Sequence, residues 1–326
     1  MTDAAVAKPP RNQWWDVWDQ FKSHRGALIS AVIFIAIILI VLIGPMIWPY
    51  EPTKTDIRNK NMRHMLSCFG LDWGAIAGCL VNPTESGIKV SWWHPLGTDQ
   101  LGRDLFARMM FGGRISMAVG VTAMLIALVL GTAVGVISGY FKRFDWALMR
   151  LTDLFLALPL LPLLLVMVML FRAPLSATFG TEQGIFILMV TAIGITSWMP
   201  TARIVRADVL AIKEREFVLA ARSIGTRPRK MIMRHLLPNV MSPIMVSATL
   251  GIANAIITES ALSFLGLGFP PDFPTWGRLL NDGVQYMQAY PERVMWPGIF
   301  ISVIVLCVNY VGDGLRDALD PRIRGL

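Results

Sequence analysis

Polar and apolar positions in this chain do not alternate; they separate into blocks. Six uncharged apolar runs, 27–48, 115–141, 154–171, 183–202, 236–258 and 294–312, stand between segments rich in Arg, Lys, Asp, Gly and Pro. A helix needs about 20 residues to cross about 30 Å of hydrocarbon at about 1.5 Å per residue. Each run therefore predicts a membrane-spanning helix, the third and sixth borrowing flanking residues. The fold class expected is an all-α polytopic membrane protein with six transmembrane helices. The first run is longer than a signal-peptide core, and no small-residue cleavage site follows it, so it is read as a retained anchor.

Between the spans the pattern is finer. Residues 1–10 read as a polar leader, and Trp14, Trp18 and Phe21 then share one face of a short amphipathic helix suited to the membrane surface. Residues 1–26 thus precede the first span, and residues 49–114 form a long, loop-rich segment. Residues 115–313 form a five-helix core, and 314–326 a tail. In the second span Gly131, Gly135 and Gly139 recur every four residues, a ridge that lets another helix approach closely. Pro159 and Pro162 predict a kink in the third span. Residues 261–283, with a double proline after a short apolar run, read as an interfacial helix or a half-inserted loop.

Composition agrees with the membrane assignment: of 326 residues 54% are hydrophobic and 16% charged, whereas soluble domains carry about 25% charged residues. The Lys and Arg residues set the orientation. Four lie in 1–26, three in 141–150, nine in 203–238 and three in the tail, against three in the short loops 172–182 and 259–293 together. The 49–114 segment holds eight, but loops longer than about 60 residues cross largely regardless of charge. Both termini and the Arg-rich loop are therefore expected on the cytoplasmic side of the membrane. The net charge of +8 reads as topology and contact with anionic lipid, not as nucleic-acid binding. Cys307 falls within the last span, as a small apolar filler. Cys68 and Cys79 fall in the outer segment, on the oxidising side, either paired in a disulfide or left as two thiols.

Chemistry-bearing motifs are missing. The chain has no GxxxxGK[ST] phosphate loop, no HExxH and no GxSxG, and its four histidines are scattered. Neither a nucleotide nor a metal site is expected of this chain alone. Asp153 is the one aspartate near a span interior, and Arg150 is its expected partner. Arg203 and Arg206 are expected to snorkel to lipid phosphates and pair with Asp208. In the fifth span Asn254, Thr258 and Glu259 are the candidates for facing a pathway; helix–helix hydrogen bonding is the alternative.

One segment is too organised for a connector: EFVLAARSIGTRPRKMIMRHLLPN, 216–239. A short helix containing Ala220 and Ala221 should end at Gly225 in a left-handed cap. A second should start near Thr226 with Pro228 just inside. Such short helices are marginal without a packing partner.

At this loop the chain resembles the membrane subunits of ATP-binding-cassette (ABC) importers, whose loop reads Glu-Ala-Ala, three residues, Gly, nine residues, Ile, any residue, Leu-Pro. Ala220-Ala221, Gly225 and Leu237-Pro238 hold those spacings, while Leu219 and His235 depart from it. HPLGTDQLGRDLFARMMFGGRIS (94–116), ESALSFLGLGFPP (259–271), PTWGRLLNDG (274–283) and GDGLRDALDPRIRG (312–325) resemble the dipeptide/oligopeptide/nickel branch, and within it the "C" member of the permease pair. There the loop commonly carries Arg-His before Leu-Pro-Asn. The resemblance implies a type I importer fold with a cytoplasmic coupling helix in loop 206–235. Glu216, Ala220, Ala221, Arg222, Gly225, Arg234, His235, Leu237 and Pro238 are its candidate residues. It also implies a homologous permease subunit, two ATPase subunits that bind the ATP and Mg, and an extracytoplasmic binding protein. Expected cargo is peptides or peptide-like solutes; nickel chelates, glutathione and antibiotic peptides share the scaffold. The rival reading is an ATP-independent secondary transporter or channel, which would show repeats or paired broken helices with buried charges.

Overall fold

The computed structural model describes residues 13–70 and 89–319. Among them every regular element is helical, apart from one isolated bridge between Thr98 and Asp104. Six helical stretches are long and apolar enough to cross a membrane.

Helix α1 (Gln13–Ser23) gives way to α2 (Arg25–Ile47) at His24, whose Nδ1 accepts the Ala27 amide at 3.1 Å. After the 49–104 segment comes α3 (Leu105–Tyr140), ten residues longer at its start than the apolar run. Arg108 and Arg114 end the apolar pattern, yet the sequence from Asp104 to Met110 already reads as the start of a helix feeding the second span. In the structure Asp104 caps the helix, accepting from the Phe106 and Ala107 amides. Arg108 is bound to Asp99 and Arg114 to the Val41 carbonyl, so both charges are carried inside a packed helix.

The third run is broken rather than kinked. Helix α4 (Lys142–Ala157) stops, Pro159 occupies the cap position, and α5 (Leu160–Phe179) begins afresh. Pro159 cannot donate a backbone hydrogen bond and disfavours a helical residue before it, so a stop at 158 follows. The fourth run is similarly divided into α6 (Thr181–Thr196) and α7 (Met199–Ile212), with Pro200 in the first turn of the second piece.

The glycine ridge packs on α7. A Cβ at Gly131 would lie 2.6 Å from the Trp198 carbonyl oxygen, one at Gly135 2.7 Å from that of Ala202, and one at Gly139 2.8 Å from Val209 Cβ. Backbones therefore meet with nothing between them.

Past α7 come the short α8 (Glu216–Ser223) and α9 (Pro228–Met231). A wide π turn at Ile232–Leu236 and a tight turn at Leu237–Val240 lead into α10 (Met241–Phe264). The change of pitch surrounds Pro238, whose missing N–H breaks the ladder. Amphipathic α11 (Trp276–Val284) and the long α12 (Glu292–Leu319) complete the chain. We call the end formed by residues 49–70, 89–108 and 266–293 the head, and the end formed by 139–146 and 206–240 the foot.

Candidate functional site

At the foot, α8 is a two-turn helix with two unlike faces. Val218 and Ala221 are buried, in one cluster with Val136 of α3, Val205 and Val209 of α7, and Leu236, Val240 and Ile244 around the start of α10. Phe217, Ala220 and Ile224 recur at helical spacing on the open side, and Ile224 is 83% exposed. A small residue between two large apolar ones forms a socket flanked by knobs. Arg222, Arg227 and Arg229 are exposed beside it.

Helix α8 ends in a Schellman motif: the Thr226 amide donates to the Ala221 carbonyl at 3.2 Å and the Gly225 amide to that of Arg222 at 3.0 Å. Gly225 sits at φ +78°, and no atom lies within 4 Å of the Cβ it lacks. It is needed for its backbone conformation, not for space.

The helical turn divides the alanine pair. Ala220 faces out, while Ala221 packs against the chain's own core. Glu216, Arg222, Arg234 and Pro238 are exposed, and His235 is half-buried, its carbonyl accepting from Asn239 Nδ2 at 2.7 Å. Leu237 lines an apolar groove with Met233 and Met241.

The foot is bolted to the spans by charge. Lys213 is buried and its Nζ donates to the Gly139 carbonyl at 3.1 Å, at the last turn of α3, where unpaired carbonyls favour a cation. Arg206 grips Asp145 of α4 with two bonds, Nε to Oδ1 at 2.5 Å and Nη2 to Oδ2 at 2.7 Å. Those bonds hold the Asp145 carboxyl below its ordinary range, so the pair stays ionised at neutral pH. Arg203 meets Asp153 at 2.6 Å. These contacts correct the expected pairings of both arginines with Asp208 and of Asp153 with Arg150. Arg206 and Asp208, two residues apart, lie on different sides of α7. Arg150 and Asp153, three apart, share a face of α4, but α7 brings Arg203 opposite Asp153 and Arg206 opposite Asp145.

Between α4, α5, α7 and α10 lies an opening of about 480 Å³. Its walls are apolar with a few hydroxyl and amide groups: Thr196, Ser197, Thr201, Ser247, Asn254 and Thr258. Thr201 and Ser247 hydroxyls meet across α7 and α10 at 2.7 Å. Asn254 is exposed to the opening, while Thr258 spends its hydroxyl on the Asn254 carbonyl at 2.7 Å. Glu259 does not share the opening; it is fully buried on another side of α10.

The head holds a buried charge network that the sequence reading did not assemble. Asp99 Oδ2 accepts from Arg103 Nε at 2.6 Å and Arg108 Nη1 at 2.8 Å. Arg108 also reaches the Pro271 carbonyl at 3.3 Å and Asp282 at 3.4 Å. Arg293 donates to the Thr98 carbonyl at 2.9 Å and lies over the Tyr290 ring. Its local hints are two spacings of four residues, Asp99–Arg103 and Arg278–Asp282. Of Cys68 and Cys79, the first is buried and disulfide-bonded, and Cys79 lies outside the described residues. No group of three or more metal-ligating side chains occurs among the described residues.

Comparison with known proteins adds the following. Residues 127–325 match the family "Binding-protein-dependent transport system inner membrane component", and residues 12–64 match the "N-terminal TM domain of oligopeptide transport permease C". The chain is 36% identical over 321 residues to the oligopeptide transport system permease protein OppC of Bacillus subtilis (strain 168), covering 98% of this chain and 93% of the relative. It is 33% identical to the dipeptide transport system permease protein DppC of Alkalihalophilus pseudofirmus, over 99% and 97% of the two chains. In fold it is similar to a chain of the MetNI methionine ABC transporter solved in inward-facing conformations. That TM-score is 0.52 at 17% identity, covering 66% of this chain and 97% of the other.

Proposed function

The chain belongs to the family of binding-protein-dependent transport system inner membrane components, and we propose that it supplies half of a translocation pathway for peptides or peptide-like solutes. The other half comes from a homologous permease subunit. An extracytoplasmic binding protein delivers cargo to the head, and two cytoplasmic ATPase subunits, which bind the ATP and Mg, drive the cycle from the foot. Both termini then lie in the cytoplasm. Peptide cargo rests on the named relatives, and the opening fits it: mostly apolar walls with scattered hydroxyl and amide groups suit varied side chains on a common backbone.

The observation that carries the reading is the two-faced α8. Its inner face, Val218 and Ala221, is continuous with the packing of α3, α7 and α10, while its outer face, Phe217, Ala220 and Ile224, is bare. A push on the bare face reaches three spans without passing through a flexible joint. ATP-driven closure of the ATPases shifts the population of inward and outward states only if the ATPases bind this face differently in the two.

Ala220→Asp tests it, because it places a charge in the socket and leaves Ala221 alone. The variant should reach wild-type membrane levels yet fail to bring down the ATPase subunits in co-purification. Wild-type recovery of ATPases, or peptide uptake by the purified chain alone in liposomes without ATP, would overturn the proposal.

A further inference from the structure

Glu259 is a fully buried carboxyl inside a spanning helix, and nothing in the mechanism above uses it. Its partners come from two helices. Ser116 of α3 donates to Oε2 at 2.8 Å, and Ser263, one turn on in α10, donates to Oε1 at 2.7 Å. Ser116 in turn accepts the Trp276 amide, at the start of α11, at 3.3 Å. Trp276 is itself fully buried and donates from its indole Nε1 to the Met109 carbonyl of α3 at 3.0 Å.

The surroundings leave no slack. A Cβ on Gly277 would lie 2.2 Å from the Ser260 carbonyl oxygen, and one on Gly268 would lie 2.0 Å from Ser263 Oγ. Apolar packing alone would hold such a joint without specifying its register. An ionisable group in the bilayer is costly and is normally retained for a role, and registry is the best-attested role of buried polar groups.

Successive residues step about 100° around a helix. Glu259 therefore lies about 100° from Thr258 and about 140° from Asn254, both of which line the opening. The same two turns of α10 present the opening on one side and this knot on another. We propose that Glu259 is a positioning residue: it clamps the head half of α3 and the cap formed by residues 266–284 onto α10. The cap and the pathway wall then change state as one body. The inference rests on the transport reading for its consequence, but the clamp itself does not.

Spin labels on Asp272→Cys in the cap and Val121→Cys on α3 measure the joint in the full chain in lipid, with neither ATP nor peptide. One narrow distance distribution is expected for the otherwise wild-type protein and for Glu259→Gln, which keeps an acceptor; Glu259→Ala should add a second population. In cells carrying the whole importer, uptake of radiolabelled tri-alanine by Glu259→Ala should lose about tenfold in maximal rate, the scale of one lost buried hydrogen bond. KM should be unchanged and Glu259→Gln should restore the rate. A single narrow distribution in Glu259→Ala, or wild-type uptake by it, overturns the proposal. If Glu259→Ala fails to reach the membrane, Ser116→Ala carries the test with the same expected second population, and its absence is equally fatal. Should the wild type move no tri-alanine, the peptide reading fails while the distance measurement still judges the clamp.

Discussion

Gly225 has open space around it, yet it is hard to replace. Its φ of +78° is unfavourable for any side chain, and forcing alanine there costs about 1 kcal/mol. The cost falls on the end of α8, the element proposed to meet the ATPase. Gly225→Ala should therefore weaken ATPase co-purification while leaving the spans folded, whereas Gly225→Asn, which tolerates this region better, should lose less; equal recovery of ATPase from all three proteins would show that the cap does not matter. This break was legible in the sequence, because a glycine between a helical pattern and a Thr-x-Pro start has one ordinary structural use. The division of labour between Ala220 and Ala221 was not. Two adjacent alanines look alike in a sequence, and only the packing of Val218 decides which of them turns inward.

Periodicity announced the elements, and their joints depended on it less. The glycine ridge at 131, 135 and 139 signalled a close neighbour, and α7 meets it at a matching spacing. Gly135→Val should cost about 1–3 kcal/mol by overpacking, read as a lower melting temperature in detergent. Gly298→Ala in α12 is the control, since its nearest neighbour would be 3.9 Å from the new Cβ. It should be neutral or slightly stabilising, as alanine is the better helix former. If the two variants melt together, the ridge is not a contact. Where prolines interrupted an apolar run, the sequence predicted bending, and the structure divides the helix instead. Pro159 is followed by a sequence able to restart at once, so the chain turns a corner there at little cost.

Across the whole molecule, six apolar blocks sufficed for the spans, but the head could not be read along the chain. Arg108 and Asp282 are partners across 174 positions, and Arg293 and Thr98 across 195. Such pairs have no local period, so they emerge only when α3, α11 and α12 are brought together. Sidedness is testable with one impermeant reagent. Trp93, 64% exposed at the head, and Ile224, 83% exposed at the foot, sit at opposite ends. On intact cells a membrane-impermeant maleimide should label Trp93→Cys and spare Ile224→Cys, with the pattern reversed on inside-out vesicles. The opposite result would invert the proposed topology. Helix α3 joins these two ends without interruption. Its 36 residues reach about 54 Å at about 1.5 Å each, well beyond the roughly 30 Å of hydrocarbon. It is fastened at both extremities, to Lys213 at the foot and to Asp99 at the head. That makes it a lever arm: pivoted at one extremity, an inclination of about 5° carries the other through about 5 Å, given that length. A displacement the size of one helical turn can thus be delivered across the bilayer with no helix melting on the way.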